Sequence, residues 1–177
     1  MLNCKLTVFF TVVCVAAIDL VVAKSCADAA QGHDYLALDG RCFILFKPPN
    51  ATWSDAMATC SRTLESGLAY VEDKTTLFAI RGWLNGIYSP IPEHGQWWIG
   101  LLQVDTSVEP AGGWAWVNAD HGVNHKATNT PWLEEQPDDS PCENCGELVT
   151  HTSAIFGVND DLCTRLRPFI CEISASA

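Results

Sequence analysis

Gln136-Pro137-Asp138-Asp139-Ser140-Pro141-Cys142-Glu143-Asn144-Cys145, followed by Asn159-Asp160-Asp161-Leu162-Cys163, is the stretch on which the reading of this chain turns. An amide oxygen and a carboxylate flank Pro137, a second carboxylate stands two residues before Cys145, and an Asn-Asp pair begins four residues before Cys163. Each of these residue types alone is ordinary in an exposed turn. Together, Gln136, Asp138, Glu143, Asn159 and Asp160 make five hard oxygen ligands. Such a set suits Ca2+, which takes roughly six to eight oxygens with loose geometry, better than Zn2+, which prefers sulfur and imidazole. A cis bond before Pro137 would make a tight turn that points both of its neighbours the same way. Because carboxylates must be ionised to hold the ion, binding is expected to fade toward roughly pH 4 to 5.

These residues resemble the C-type lectin-like domain, and its galactose-type branch in particular. The likeness runs from near Cys26 to Cys171. It takes in Trp98-Ile99-Gly100-Leu101, Trp114 and Trp116, the Gln-Pro-Asp triplet, Glu143, the Asn159-Asp160 pair and the last cysteine. It implies that the five oxygen residues form the principal Ca2+ site and also bind sugar, because the ion in that family holds two neighbouring sugar hydroxyls. It further implies the pairings Cys60 with Cys171, Cys145 with Cys163, and Cys26 with Cys42 as an N-terminal hairpin bridge. A bridge between Cys145 and Cys163 would bring Glu143 and the Asn159-Asp160 pair into one small volume. The order Gln-Pro-Asp implies terminal galactose, whose axial 4-hydroxyl suits that placement of amide and acid, whereas Glu-Pro-Asn favours mannose. Two departures stand out. The family's Trp-Asn-Asp reads Val158-Asn159-Asp160, and the short loop from Asp138 to Glu143 has no tryptophan to stack on a sugar. Monovalent binding is therefore expected to be weak and broad, with avidity through multimers as compensation. Domains of this kind also bind proteins, microbial surfaces or ice with calcium as scaffold only, which is the competing reading.

Residues 1–23 read as a secretory signal peptide. Lys5 supplies the positive n-region, Leu6 to Ile18 is apolar, and Val21 and Ala23 fit the small-residue rule for cleavage. Asp19 interrupts what a membrane anchor would need, and no later stretch is apolar enough to span. The remainder, residues 24–177, is enough for one well-buried domain and too short for two. A formal net charge of −11 argues against nucleic acid or anionic membrane as partner and suits a secreted, extracellular protein. In that compartment the seven cysteines after the leader imply a disulfide framework with one thiol left over. On the family pairing the odd one is Cys142, expected in a disulfide-linked dimer or under a small-thiol cap.

Tyr35 to Leu38 and Cys42 to Phe46 form an expected hairpin around Asp39-Gly40, a dipeptide suited to positive φ. Pro48-Pro49-Asn50 breaks it, and Asn50-Ala51-Thr52 is an N-glycosylation acceptor in an expected loop. Thr52 starts a helix with Trp53, Ala56, Met57, Cys60 and Leu64 on its inner face. A second starts at Asp73 and ends near Asn85-Gly86. Strands follow at Trp97 to Leu102, Trp114 to Val117, Glu147 to Thr150, Ile155 to Val158 and Phe169 to Glu172, with the paired tryptophans read as core. Helices early and short, mostly antiparallel strands late give an α+β fold. The polar region from Ala119 to Glu143 reads as one long calcium-binding loop.

Enzyme chemistry finds little support in these residues. Cys142-Glu143-Asn144-Cys145 is a lone Cys-x-x-Cys without a redox or zinc context, His121 and His125 flank a poor helix, and no Gly-x-Ser-x-Gly elbow occurs. A glycosidase needs two carboxylates facing one sugar bond, but the acids with clear partners here are the expected calcium ligands.

Overall fold

The computed structural model describes residues 25–92, 94–117, 122–150 and 155–174. The leader expected over 1–23, and His121, lie outside them. In chain order the elements are α1 (Cys26–Ala30), β1 (Asp34–Leu38), β2 (Arg41–Ala51), α2 (Trp53–Leu64), β3 (Gly67–Leu68), α3 (Lys74–Tyr88), β4 (Gln96–Gln103), a 3-10 turn (Thr106–Val108), β5 (Trp114–Val117), β6 (Val123–Lys126), β7 (Cys145–Thr150), β8 (Phe156–Asp161) and β9 (Arg167–Ser174). This is the expected α+β architecture.

The hairpin β1/β2 turns at Asp39 and Gly40, both at positive φ, and pairs Leu38 with Arg41. Strand β2 runs on to Ala51, past the prolines expected to break it. The prolines still leave their mark, since the β2/β9 ladder jumps from Phe46 opposite Phe169 to Ala51 opposite Arg167. Pro48 and Pro49 fall in the unpaired gap, where a missing N–H costs nothing.

Helix α2 begins as expected. The Thr52 hydroxyl accepts the Asp55 N–H at 3.2 Å, so one orphan donor of the first turn is satisfied. Its buried residues Trp53, Ala56, Met57 and Cys60 recur at helical spacing, and the Trp53 indole donates to the Ile99 carbonyl at 2.8 Å. Helix α3 is capped by Asp73, which accepts the Thr76 N–H at 2.7 Å. It continues two residues past the expected end at Asn85-Gly86, to Tyr88. Ser89, left-handed at φ 40°, ends it ahead of Pro90, because the residue before a proline is driven out of the α region. Gly86 therefore sits inside the helix. A third, five-residue helix, α1, was not expected; Ser25 caps it by accepting the Asp28 N–H.

The nine strands form one sheet in the order β1-β2-β9-β4-β5-β6, with β3 on β9 and the β7/β8 hairpin carried on β4. All the pairings are antiparallel except β4 with β9, which meet in parallel at Trp98 and Phe169. Trp97, Trp98 and Trp116 are among the largest fully buried side chains, and Trp114 is 5% exposed, so the paired tryptophans are core. Three disulfides join Cys26 to Cys42, Cys60 to Cys171 and Cys145 to Cys163. The second ties α2 to β9 and closes a loop of sequence separation 111, a constraint on the unfolded chain of about 4 to 5 kcal/mol on the chain-entropy view.

Two boundary differences bear on function. Strand β6, inside the region expected to be one loop, pairs with β5 through Ala115 with Lys126 and Trp116 with His125. Strand β8 reaches Asp161 instead of ending at Val158, so Asn159, Asp160 and Asp161 belong to a ladder opposite Glu147, Gly146 and Cys145.

Candidate functional site

The site forms where the segment 131–143 folds back over the open edge of the β7/β8 hairpin. Backbone bonds fix it there. Leu133 N–H donates to the Val158 carbonyl at 2.9 Å, Val158 N–H to the Pro131 carbonyl at 3.2 Å, and Gln136 N–H to the Leu133 carbonyl at 3.1 Å. Val158, which stands where the family has tryptophan, is buried and serves here through its backbone as the strand edge. The Gln136-Pro137 bond is cis, as the sequence reading expected.

Past the proline, Asp160 clamps the chain. Its two carboxylate oxygens accept the N–H groups of Asp138 at 3.2 Å and Asp139 at 2.9 Å, while Asp139 Oδ1 accepts the Glu143 N–H at 2.8 Å. The consequence is a carboxylate cluster. Asp138, Glu143 and Asp160 each place a ligand oxygen within 4.8 Å of the others. Asp138 is exposed, whereas Glu143 is 8% and Asp160 0% exposed, so water screens the cluster from one side only. Gln136 Oε1 is buried and without a hydrogen-bond partner among the described residues. A buried amide oxygen left unpaired is costly unless something electropositive meets it.

The electrostatics point the same way. Burial, then the charges of Asp160 and Asp161, push the Glu143 carboxyl up to about 7, and burial raises Asp160 as well. Three mutually repelling carboxylates fit a hard divalent cation by charge and by donor chemistry.

Asn159, the fifth expected ligand, is held from behind. Its amide nitrogen donates to Glu147 Oε1 at 3.3 Å and lies 2.5 Å from the Asp160 carbonyl. Glu147 is fully buried; it accepts from Gln96 at 3.1 Å and from Arg167 Nε at 3.2 Å, and Arg167 reaches on to Asp161 at 2.8 Å. Burial, then the Asp161 charge, pushes Glu147 up to about 7, against the pull of Arg167. This Glu147, Asp161 and Arg167 network, and the bridging role of Asp139, escaped the sequence reading. Their only sequence signal is a charged residue inside an otherwise apolar strand, as at Glu147.

Trp132 is the one ring adjoining this segment that sequence reasoning passed over. It is half-buried and meets Trp114 edge-on at a centroid distance of 5.0 Å, which commits it to the core side. Cys142 is free and exposed, as the pairing arithmetic required. His125 pairs with Glu72 at 2.5 Å, far in sequence from the cluster.

Comparison with known proteins identifies the family. The family model for the lectin C-type domain matches residues 50–173, so the chain belongs to the C-type lectin domain family. A C-type lectin galactose-binding isoform from Hoplocephalus stephensii is 30% identical over 143 residues, covering 79% of this chain and 81% of that protein. A similar isoform from Pseudechis australis is 31% identical over 141 residues, covering 79% and 81%. Among solved structures, CEL-I from Cucumaria echinata superposes with a TM-score of 0.60 at 23% identity, over 81% of this chain and 96% of that one. Herring type II antifreeze protein superposes with a TM-score of 0.59 at 23% identity, over 81% and 98%, and shares the fold. Members of the family are generally non-enzymatic carbohydrate-binding proteins, and their domains generally bind Ca2+.

Proposed function

We propose that this chain is a secreted, Ca2+-dependent lectin of the galactose type and not an enzyme, made as a leader over residues 1–23 and a single domain over 24–177. The observation that carries the reading is the convergence of Asp138, Glu143 and Asp160 within 4.8 Å; Gln136, two residues before Asp138 in the chain, adds a buried oxygen without a partner among the described residues. Gln136, Asp138, Glu143, Asn159 and Asp160 would hold the ion. Bound there, Ca2+ would supply a Lewis-acid centre for sugar hydroxyls. The protein supplies the rest. Carboxylate oxygens of Asp138 and Glu143 would accept the hydroxyl protons and the Gln136 amide would donate to a remaining lone pair, while Asn159, whose amide nitrogen is turned to Glu147 and the Asp160 carbonyl, would offer its oxygen to the ion. Three disulfides and the galactose-binding relatives support secretion and the sugar class respectively. Calorimetry at neutral pH should register Ca2+ binding, and galactose or chelator should elute the protein from immobilised galactose. Elution by chelator but not by galactose would favour calcium as scaffold for a protein, microbial-surface or ice partner. A glycan array run with and without chelator then ranks host against microbial glycans, the latter fitting an innate immune role.

The pH dependence begins higher than unperturbed carboxylates imply. Since Glu143 carries its proton up to about pH 7 in the ion-free protein, binding must displace that proton, and apparent Ca2+ affinity falls as pH drops through 7. The ion-free protein is expected to show the opposite trend in stability. A carboxyl whose folded pKa lies above its unfolded value favours the folded state while protonated, and that contribution is lost as pH rises toward 7. Thermal melts should therefore show the chelator-treated protein more stable at pH 5.5 than at 7.5, and the Ca2+ form gaining most at 7.5. A chelator-treated protein whose stability rises across that interval would count against the cluster.

Cys142, exposed in an oxidising compartment, is expected to pair between two copies and give a disulfide-linked dimer that adds avidity. Non-reducing electrophoresis of wild type and Cys142→Ser checks this, with a monomer carrying a titratable thiol as the contrary result.

A further inference from the structure

Asn50 stands exposed near the end of β2, in the stretch where the prolines interrupt the ladder with β9. It lies on the rim of a cleft of about 320 Å3, bounded by Tyr88 at the end of α3, by Gln96 and Trp97 at the start of β4, and by Leu166 to Pro168 leading into β9. Leu166 at 59% is the most exposed large apolar side chain among the described residues. Around it the cleft is polar, with the Gln96 amide and the Arg167 guanidinium both half-buried. An apolar patch ringed by hydrogen-bonding groups matches a pyranose that has one C–H face and an acetamido substituent. Asn50-Ala51-Thr52 provides the attachment, because Asn50 is accessible and the intervening residue is not proline.

We propose that Asn50 carries an N-linked oligosaccharide and that its first N-acetylglucosamine seats in this cleft, covering Leu166. The proposal rests on entry into the secretory pathway. In the transfer, Asn50 Nδ2 forms a bond to the anomeric carbon of a polyprenyl-diphosphate-linked oligosaccharide, the bond from that carbon to the diphosphate oxygen breaks, and the diphosphate leaves with the electron pair. The amide gives up one proton. Transfer precedes folding of α2, since the Thr52 hydroxyl, part of the acceptor, later caps that helix by accepting the Asp55 N–H. A lone sugar would occupy so open a cleft only weakly. Tethering at its rim raises the local concentration to about the millimolar range, enough to fill a weak site. The apolar area of Leu166 and Pro168 leaving water supplies the driving force.

The test uses the full chain secreted with its own leader from eukaryotic cells restricted to oligomannose glycans. Mass spectrometry should find the sugar on Asn50. Trimming with an endoglycosidase that leaves one N-acetylglucosamine should preserve the melting temperature. The sugar-free form, made as Asn50→Gln, should melt about 2 to 4 °C lower. Leu166→Ser should erase the difference between the one-sugar and sugar-free forms. Absence of carbohydrate on Asn50, or equal melting of those two forms in the wild-type background, overturns the proposal. Retention on galactose is read separately, so failure of the lectin reading leaves these outcomes intact.

Discussion

Asp160→Ala is expected to abolish measurable Ca2+ binding and, with it, retention on immobilised galactose. The side chain has two jobs. It is one of three carboxylates whose oxygens converge within 4.8 Å, and it holds the Asp138 and Asp139 N–H groups at 3.2 and 2.9 Å. Truncation removes a ligand charge and frees the turn that aims Asp138. The Asp139 N–H, on a half-buried residue, loses its acceptor at a cost of up to about 1 to 3 kcal/mol, whereas water can reach the exposed Asp138. Losing an outer-shell partner typically lowers metal affinity 10- to 100-fold. Loss of a direct ligand that also orients a second one should exceed roughly 100-fold. Asp160→Asn separates the roles. It keeps an acceptor for the turn but removes a negative charge that raises Glu143, so Glu143 should titrate below its value near 7 in the ion-free variant. Nuclear magnetic resonance titration of the Glu143 carboxyl reads that shift, and calorimetry reads the metal. An Asp160→Ala protein that is folded and binds Ca2+ like wild type would remove the site from this corner of the fold.

How much of this was legible beforehand depended on the range of the interaction. Short-range signals read well: Thr52 and Asp73 as caps, Asp39-Gly40 as the hairpin turn, and the apolar spacing of Trp53, Ala56, Met57 and Cys60 all act within a few residues. The candidate site residues were proposed for a different reason, their spacing from Cys145 and Cys163, which marks a known family. Boundaries that depend on partners distant in sequence were not. Strand β2 passes Pro48 and Pro49 because β9 resumes pairing beyond them at Ala51. Strand β8 includes Asn159 to Asp161 because β7 pairs that far. Helix α3 ignores Gly86 because Leu84 and its neighbours on the inner face are already committed to the core. The Glu147 and Arg167 link spans 20 residues and joins two strands that do not neighbour each other in sequence, so no local pattern announced it.

Exchanging the two residues around Pro137, as Gln136→Glu with Asp138→Asn, should keep calcium and change the sugar. The pair retains two ligand oxygens and the same total charge. Ca2+ affinity is therefore expected to stay within roughly tenfold of wild type, or about 1.4 kcal/mol. What changes is where protons are offered. Gln136 presents an amide at a half-buried position whose oxygen has no protein partner, while Asp138 presents an acceptor at the exposed edge. After the exchange, a carboxylate occupies the inner position and an amide the outer one, so a sugar hydroxyl that had found a donor now meets an acceptor. A mispaired buried polar group costs about 1 to 3 kcal/mol, which corresponds to roughly 5- to 150-fold in affinity. Galactose retention should fall by that factor and mannose retention should rise. The segment between Asp138 and Glu143 is short and brings no ring to exclude either sugar, so relaxation toward mannose is expected in place of full reversal. Competition elution from immobilised galactose and mannose, with calorimetry as the check on calcium, measures both effects. If calcium is retained and the sugar profile is unchanged, the ligand does not sit on the ion, and recognition must use another surface with the metal as scaffold.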